Sequence, residues 1–343
     1  MSSGPDTTTP ADEATAPGAG EIVPPGEADA VRIIVRAIED RVRAAAKSGP
    51  ARRDAHPKAH GCVRAEFRVL DDLPPALRVG VFAATRTFNA WVRFSNGSAT
   101  PQPDAIGDGR GMAIKLMGVT QRPSTTQDFL MISHPAFFVR NAADYVDFQT
   151  ASNQWRFFFP GFNPFHFRLH ELLVARAIAG QTVVNPLNTR YWSMTPYCFG
   201  GAACKFSARP AGPPSPFTAT DSPDFLRANL ALHLGQANAS FDFLVQLRAQ
   251  PDAMPIEDPT IVWDENAASF VPVASITIPP QSFDSPEQHE FCENLSFNPW
   301  HCVEAHRPLG GINRVRRTVY ETISRLRHDL NGMPQREPTD LTL

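Results

Sequence analysis

Arg316-Arg317-Thr318-Val319-Tyr320 places an arginine one helical turn before a tyrosine, in a segment whose apolar residues keep helical time. Ile312, Val315, Val319, Ile323, Leu326 and Leu330 recur at spacings of three and four, the stripe of a helix that buries one face. At roughly 100° per residue, Arg316, Tyr320 and Arg327 fall within about 40° of one another along the edge of that stripe. A phenol and two guanidiniums therefore share a face. A tyrosine oxygen ligates ferric iron only as phenolate, a form favoured by a neighbouring cation that also donates a hydrogen bond, and Arg316 stands where it supplies both. Two turns further on, Arg327 offers the fork geometry that suits a carboxylate. Taken alone, the segment reads more readily as a partly buried tyrosine with two solvated arginines, so the rest of the chain has to decide.

The elements that would position this face are legible in outline. Helical spacing at Val31, Ile34, Val35, Ile38 and Val42 predicts a helix over 28–46, packed beside the core. From His60 to about Phe138 the pattern changes to short apolar runs punctuated by Gly, Pro, Asn and Asp, the signature of an antiparallel barrel. Helical patterns return at 142–152, 165–178 and 223–234, and strand-like runs at 203–208, 240–247 and 270–278. The class is therefore α+β. Thirty-three prolines, many of them between these runs, suit long wrapping connections. Residues 1–26, rich in Pro, Gly, Ala and Thr, are expected to form a disordered leader, and 27–343 a single domain.

Composition narrows the partners. A net charge of −3 gives no electrostatic case for nucleic acid, which calls for a clustered basic face. No apolar run approaches the roughly 18 residues of a membrane span, and residues 1–20 lack the basic start and apolar segment of a secretory signal, so the default expectation is a cytoplasmic location. The five cysteines, Cys62, Cys198, Cys204, Cys292 and Cys302, are odd in number and widely spaced, which argues against a disulfide framework, and the absence of CxxC spacing argues against structural zinc. His56 and His60 have the i, i+4 spacing of two ligands on a helix, but Pro57 between them and Gly61 after them disfavour that helix.

Four further segments, in order, give the helical face its context. Ala59-His60-Gly61 precedes the alternating run 63–70; Trp91-Val92-Arg93-Phe94-Ser95 follows; then Gly109-Arg110-Gly111-Met112-Ala113-Ile114-Lys115; then His134-Pro135-Ala136-Phe137-Phe138-Val139-Arg140. In this order they resemble the catalase superfamily, specifically its short, catalase-related bacterial members, over residues 50–330. The resemblance implies a catalase-like antiparallel β-barrel core with surrounding helices, and ferric haem b with Tyr320 as the iron ligand beside Arg316. It implies Arg93 and Arg327 at the haem propionates, and His60 as the distal histidine that moves a peroxide proton, oriented by Ser95. Phe137, Phe138 and Tyr145 would form much of the distal wall. Histidine suits such proton transfer because its pKa near 6.5 lets it accept and return a proton near neutrality.

Three departures from the family pattern shape the functional expectation. Where catalases carry a distal asparagine, the aligned residue is Ile132, which cannot hydrogen-bond a peroxide oxygen. Losing such a donor in a dry pocket costs on the order of a hundredfold in rate, and the apolar replacement favours an alkyl chain. Lys58, not arginine, lies just before His60, which leaves one propionate contact open. The chain also ends soon after the ligand helix, so the nicotinamide site and intertwined tetramer of large catalases are not expected. The expected function is a haem peroxidase that uses organic, fatty-acid-like hydroperoxides with a small-molecule reductant and dismutates hydrogen peroxide weakly. A lyase or isomerase that rearranges a fatty-acid hydroperoxide, and a haem-binding or sensing protein without turnover, are the alternatives.

Overall fold

The computed structural model describes residues 20–120, 124–214, 216–335 and 337–342. Nine strands make one antiparallel sheet: β1 (Ala59–Val69), β2 (Thr87–Asn96), β3 (Arg110–Leu116), β4 (Gln127–Ile132), β5 (Tyr191–Trp192), β6 (Tyr197–Phe199), β7 (Ala202–Pro210), β8 (Ala239–Leu247) and β9 (Val271–Ile278). Their order is β5-β4-β3-β2-β1-β9-β8-β7-β6, and β5 also pairs with β7, so eight strands close on themselves and β6 hangs on β7. Closure removes the sheet edges.

Register shows how alternation divides this wall into two faces. Val63, Val92, Ile114 and Phe129 lie opposite one another on successive strands and point into the barrel, as do Phe94, Met112 and Met131. Aromatic rings fill the interior, with Phe129 at 4.7 Å from Phe243 and 4.9 Å from Phe206. The outward residues of β2–β4 are also enclosed, because helices cover them. Such strands lose the polar half of the alternation and read as near-continuous apolar runs.

The covering helices are α1 (Glu27–Ala45), α2 (Ala142–Thr150) and α7 (Gly311–Asn331), with α3 (Gln154–Phe158), α4 (Leu169–Ala179), α5 (Phe225–Leu234) and α6 (Pro286–Asn294) around them. Ile34, Ile38 and Val42 of α1 pack with Ala142 of α2 and with Val315, Ile323 and Leu326 of α7. Of the stripe expected on α7, Ile312, Val315, Ile323 and Leu326 are buried, whereas Leu330, in the last turn, is exposed. The helix stops where Gly332 enters the left-handed region at φ 63°. At its other end, Arg314 is held by Glu21, Glu27 and Glu257 at 2.7, 2.5 and 2.9 Å. Glu21 also accepts from Arg307 and from the Gly310 backbone. The last part of the expected leader, residues 20–26, is thus tied to the domain by ion pairs that composition does not reveal; residues 1–19 lie outside the described residues. The sequence pattern does not predict the helices at 154–158 and 286–294, and the helix expected over 165–178 starts only at Leu169, after a short 3-10 turn over Pro164–His166. Among the described residues, no helix is long and apolar enough to cross a membrane.

One polar group sits in the apolar end of the barrel. His306 is fully buried among Phe82, Phe129, Phe199 and Phe206, and its Nε2 accepts from the Val81 N–H at 3.2 Å. Burial lowers its pKa from 6.5 to about 4. The unfolded chain therefore takes up this proton first, so the stability tied to neutral His306 is complete above pH 6.5 and is lost as pH falls towards about 4. The loss is on the order of 3 kcal/mol. Urea unfolding across this window is expected to show the decline, and His306→Gln, which keeps an acceptor for Val81 but does not titrate, is expected to flatten it. An unchanged slope in the variant would place the acid sensitivity elsewhere.

Candidate active site

The outward face of β2–β4 and the helices over it enclose a cavity. Two rows of side chains form its strand wall: Arg93, Ala113 and Leu130 in one, Ser95, Gly111 and Ile132 in the next, each row aligned across β2, β3 and β4. His56, on the segment entering β1, lies against the second row with Nδ1 3.0 Å from Ser95 Oγ. Its backbone is left-handed at φ 60°, a conformation unfavourable for a residue with a side chain. Arg93 Nη2 holds it there by donating to the His56 carbonyl at 2.8 Å. A Cβ on residue 111 would come within 2.6 Å of His56 Nδ1 and 2.7 Å of Ser95 Oγ, so only glycine lets the imidazole lie on the sheet. Burial lowers the His56 pKa to about 3, and the charges of Arg93 and Arg316 add to it. The ring is neutral at physiological pH.

Helix α7 supplies the other wall. Arg316 Nη2 donates to the Tyr320 hydroxyl at 3.3 Å, and its guanidinium lies 5.2 Å from the centre of that ring. Asn313 Oδ1, at 3.1 Å from Arg316 Nη1, fixes the guanidinium from behind. Burial works against the Arg316 charge, but Tyr320 and Tyr197 outweigh it and raise its pKa. Burial, together with Asp54 and Tyr320, pushes the Tyr145 phenol up to about 12, so it remains a neutral donor. Met194, also left-handed at φ 60°, and Ile38, Phe137, Ile312, Val319 and Ile323 complete an apolar lining.

At one end of the cavity, three guanidiniums converge. Arg53 reaches Glu293 at 3.1 Å and the carbonyl of Leu295 at 2.6 Å, and Arg327 reaches Glu293 at 2.9 Å. Burial and the charge of Arg93 lower the Arg53 pKa to about 9 despite Glu293. Arg327 is lowered by burial too, with Glu293 opposing and Arg93 adding. The Nε atoms of Arg93 and Arg327 are buried without a hydrogen-bond partner. Buried cations that outnumber their carboxylate and retain unused donors ask for an anionic ligand. This donor set, with a phenol under a guanidinium and an apolar slot between, fits haem: carboxylates at the arginines, an iron ligand at Tyr320 and a flat apolar body along the lining.

The cavity brings together Arg93, Ser95, Ile132, Phe137, Tyr145, Arg316, Tyr320 and Arg327 from the sequence-predicted set. Two residues stand elsewhere. His60 does not line the cavity; it is 1% exposed inside a polar network, with Nε2 2.8 Å from Asn96 Oδ1 and Arg110 on the same oxygen. Phe138 packs behind the lining, 4.9 Å from both Phe137 and Phe148. The open place at Lys58 also resolves differently: Lys58 pairs with Asp104 at 2.6 Å, away from the cavity, and Arg53 is the cation that faces it. His56 and Arg53 carry no periodic signal, and Pro57 in itself only disfavours a helical histidine pair. Read as a marker of an irregular turn with an arginine three residues ahead, the same segment would have pointed to them.

No family model and no curated protein matches this sequence. Solved structures do. The fold resembles a fungal catalase (TM-score 0.65, 17% identity, 84% of this chain and 62% of that one) and catalase A from Saccharomyces cerevisiae (0.65, 18%, 85% and 66%). It also resembles a bacterial catalase (TM-score 0.61, 17% identity, 87% and 63%). The architecture is thus catalase-like, and this chain spans less than two thirds of the length of those proteins.

The tight seat of His56 gives a direct test. Gly111→Ala is expected to lower stability by about 1–3 kcal/mol, the cost of overpacking, and to separate His56 from Ser95. Thermal unfolding and a structure of the variant would measure both. Wild-type stability with His56 still on Ser95 would contradict the steric argument.

Proposed function

We propose that the protein is a haem-dependent peroxidase acting on organic, alkyl-chain hydroperoxides with a small-molecule reductant. The observation that carries this reading is the pairing, in one cavity, of a neutral histidine bound to Ser95 with a tyrosine bound to Arg316. Haem b, with ferric iron on Tyr320, would supply the redox centre for O–O cleavage. Arg53, Arg93 and Arg327 would take its propionates, and Arg316 would favour negative charge on the phenol oxygen.

The chain's own groups account for the proton. With Nδ1 engaged by Ser95, His56 has Nε2 left to take the proton of the hydroperoxide and return it to the departing oxygen. Its lowered pKa keeps the imidazole unprotonated at rest and makes it a weaker base than free histidine, so a proton it takes from the hydroperoxide is readily passed on. Strain at φ 60° and the Arg93 hydrogen bond fix the ring instead of letting it follow the solvent.

Three variants divide these roles. Tyr320→Phe is expected to lose most haem or the tyrosinate-type high-spin spectrum. His56→Ala is expected to bind haem and react with hydroperoxide at least about a hundredfold more slowly, the usual scale for a general acid–base. His60→Gln is expected to alter stability while leaving that rate near wild type. Stopped-flow spectra after addition of cumene hydroperoxide measure the rates; a normal rate in His56→Ala would remove the assignment. Dependence of turnover on an added electron donor supports a peroxidase, donor-independent conversion would identify a lyase or isomerase, and the absence of any spectral change a binding or sensing protein.

Selectivity follows from Ile132. It is 8% exposed, one strand from the Gly111 on which His56 rests, and it offers a peroxide no hydrogen bond. The apolar lining binds an alkyl chain at roughly 0.8 kcal/mol per buried methylene, a gain hydrogen peroxide does not share. kcat/KM is therefore expected to rise with chain length until the cavity is filled. Ile132→Asn is expected to raise oxygen evolution from hydrogen peroxide and lower the preference for long chains, at some cost in stability. Fast oxygen evolution by the wild type, without activity on organic hydroperoxides, would show that Ile132 does not control the reaction.

A further inference from the structure

A second cavity, of about 550 Å³, is lined in part by Glu293, the carboxylate of the arginine cluster, and rimmed by exposed Arg52, Asp224 and His289. Two cysteines face it from separate elements, Cys62 on β1 and Cys292 on α6. They belong to one packed cluster, together with Trp91, Met117 and Leu295. Cys62 is the cross-strand partner of Arg93, and Arg53 donates to the Cys292 carbonyl at 3.2 Å, so two guanidiniums stand near the pair. Both cysteines are free thiols.

We propose that Cys62 and Cys292 are a second peroxide-reactive site, a dithiol that hydroperoxides entering this cavity oxidise to a disulfide without using the haem cavity. Interaction between the two thiols favours one thiolate in the pair, burial opposes it, and the charges of Arg93 and Arg53 add to it. In this scheme Cys292, whose backbone carbonyl Arg53 reaches, is the nucleophile and Cys62 the resolving thiol. The Cys292 thiolate attacks one peroxide oxygen, the O–O bond breaks, and the other oxygen leaves with a proton as the alcohol. The Cys292 sulfenic acid is then attacked by the Cys62 sulfur; an S–S bond forms, and the hydroxyl leaves with the Cys62 proton as water. Two thiols give up two protons and two electrons, and the hydroperoxide becomes an alcohol and water.

The test treats the haem-loaded wild-type protein with a small excess of cumene hydroperoxide or hydrogen peroxide, alkylates it on denaturation and maps the peptides by mass spectrometry. The expected product is a Cys62–Cys292 crosslink reversed by dithiothreitol, with Cys198, Cys204 and Cys302 alkylated. Cys62→Ser is expected to accumulate a Cys292 sulfenic acid that dimedone labels, and His56→Ala to form the crosslink as fast as wild type. Full alkylation of both cysteines after peroxide exposure, a crosslink between Cys198 and Cys204 instead, or loss of the crosslink in His56→Ala would each overturn the proposal. The wild-type map decides the matter even if Cys62→Ser fails to fold, and its failure leaves the haem reading untouched.

Discussion

The constraint on which the site depends is the convergence of Arg53, Arg93 and Arg327 on one wall with Glu293 as the carboxylate that pairs with two of them. Burying unpaired charge costs several kcal/mol per ion, so such a cluster persists only where something compensates it. Part of the compensation is local: Arg53 and Arg327 take backbone carbonyls of 292, 293 and 295 as well as Glu293. This explains the short helix α6. Its Ser285–Gln288 capping box fixes a helix of nine residues, and its far end presents those carbonyls and Glu293 to cations from two other elements. The unused Nε donors are what remains for a ligand.

The two histidines four residues apart show how far sequence reading reaches. The apolar runs predicted β1–β4, and the stripe on 312–330 predicted α7 with Arg316 and Tyr320 on one face, because both follow from periodicity. Which histidine meets Ser95 does not follow from periodicity. It depends on a left-handed residue ahead of Pro57 and on Gly111, a position distant in sequence that is empty enough to receive the ring. His60 is already inside β1, at the register shift between Ala59 and Gly61, where its ring meets Asn96, which Arg110 also reaches. Helix α6 escaped notice for a related reason: its nine residues carry only a weak apolar stripe, and its value lies in carbonyls that have no sequence signature. Glu21 likewise gave no local sign of its role, since its partners Arg307 and Arg314 are remote.

The polar network around His60 has a structural purpose. Asn96, at the end of β2, accepts from Arg110 and donates to Asp104, and its backbone N–H takes the Lys58 carbonyl at 3.0 Å. Lys58 closes the circuit on Asp104. The segment between His56 and His60 is thereby clamped to β2 at both ends, by Arg93 and Ser95 at His56 and by Asn96 at Lys58 and His60. A strained residue such as His56 is tolerated only where its surroundings over-determine it, and this is how they do so.

A barrel whose interior is packed with phenylalanine has no room for a ligand, so any binding site must use the outer face of its wall. That requirement explains the residue types along β2–β4: guanidinium and hydroxyl at 93 and 95, small residues at 111 and 113, apolar ones at 130 and 132. The small pair on β3 sets the depth of the slot, because larger side chains there would meet His56 and fill the space between sheet and α7. With depth set by β3 and charge by β2, the chemical character of the remaining corner falls to β4. Ile132 occupies it, and an aliphatic side chain beside a neutral histidine leaves that corner without a hydrogen-bonding group of its own.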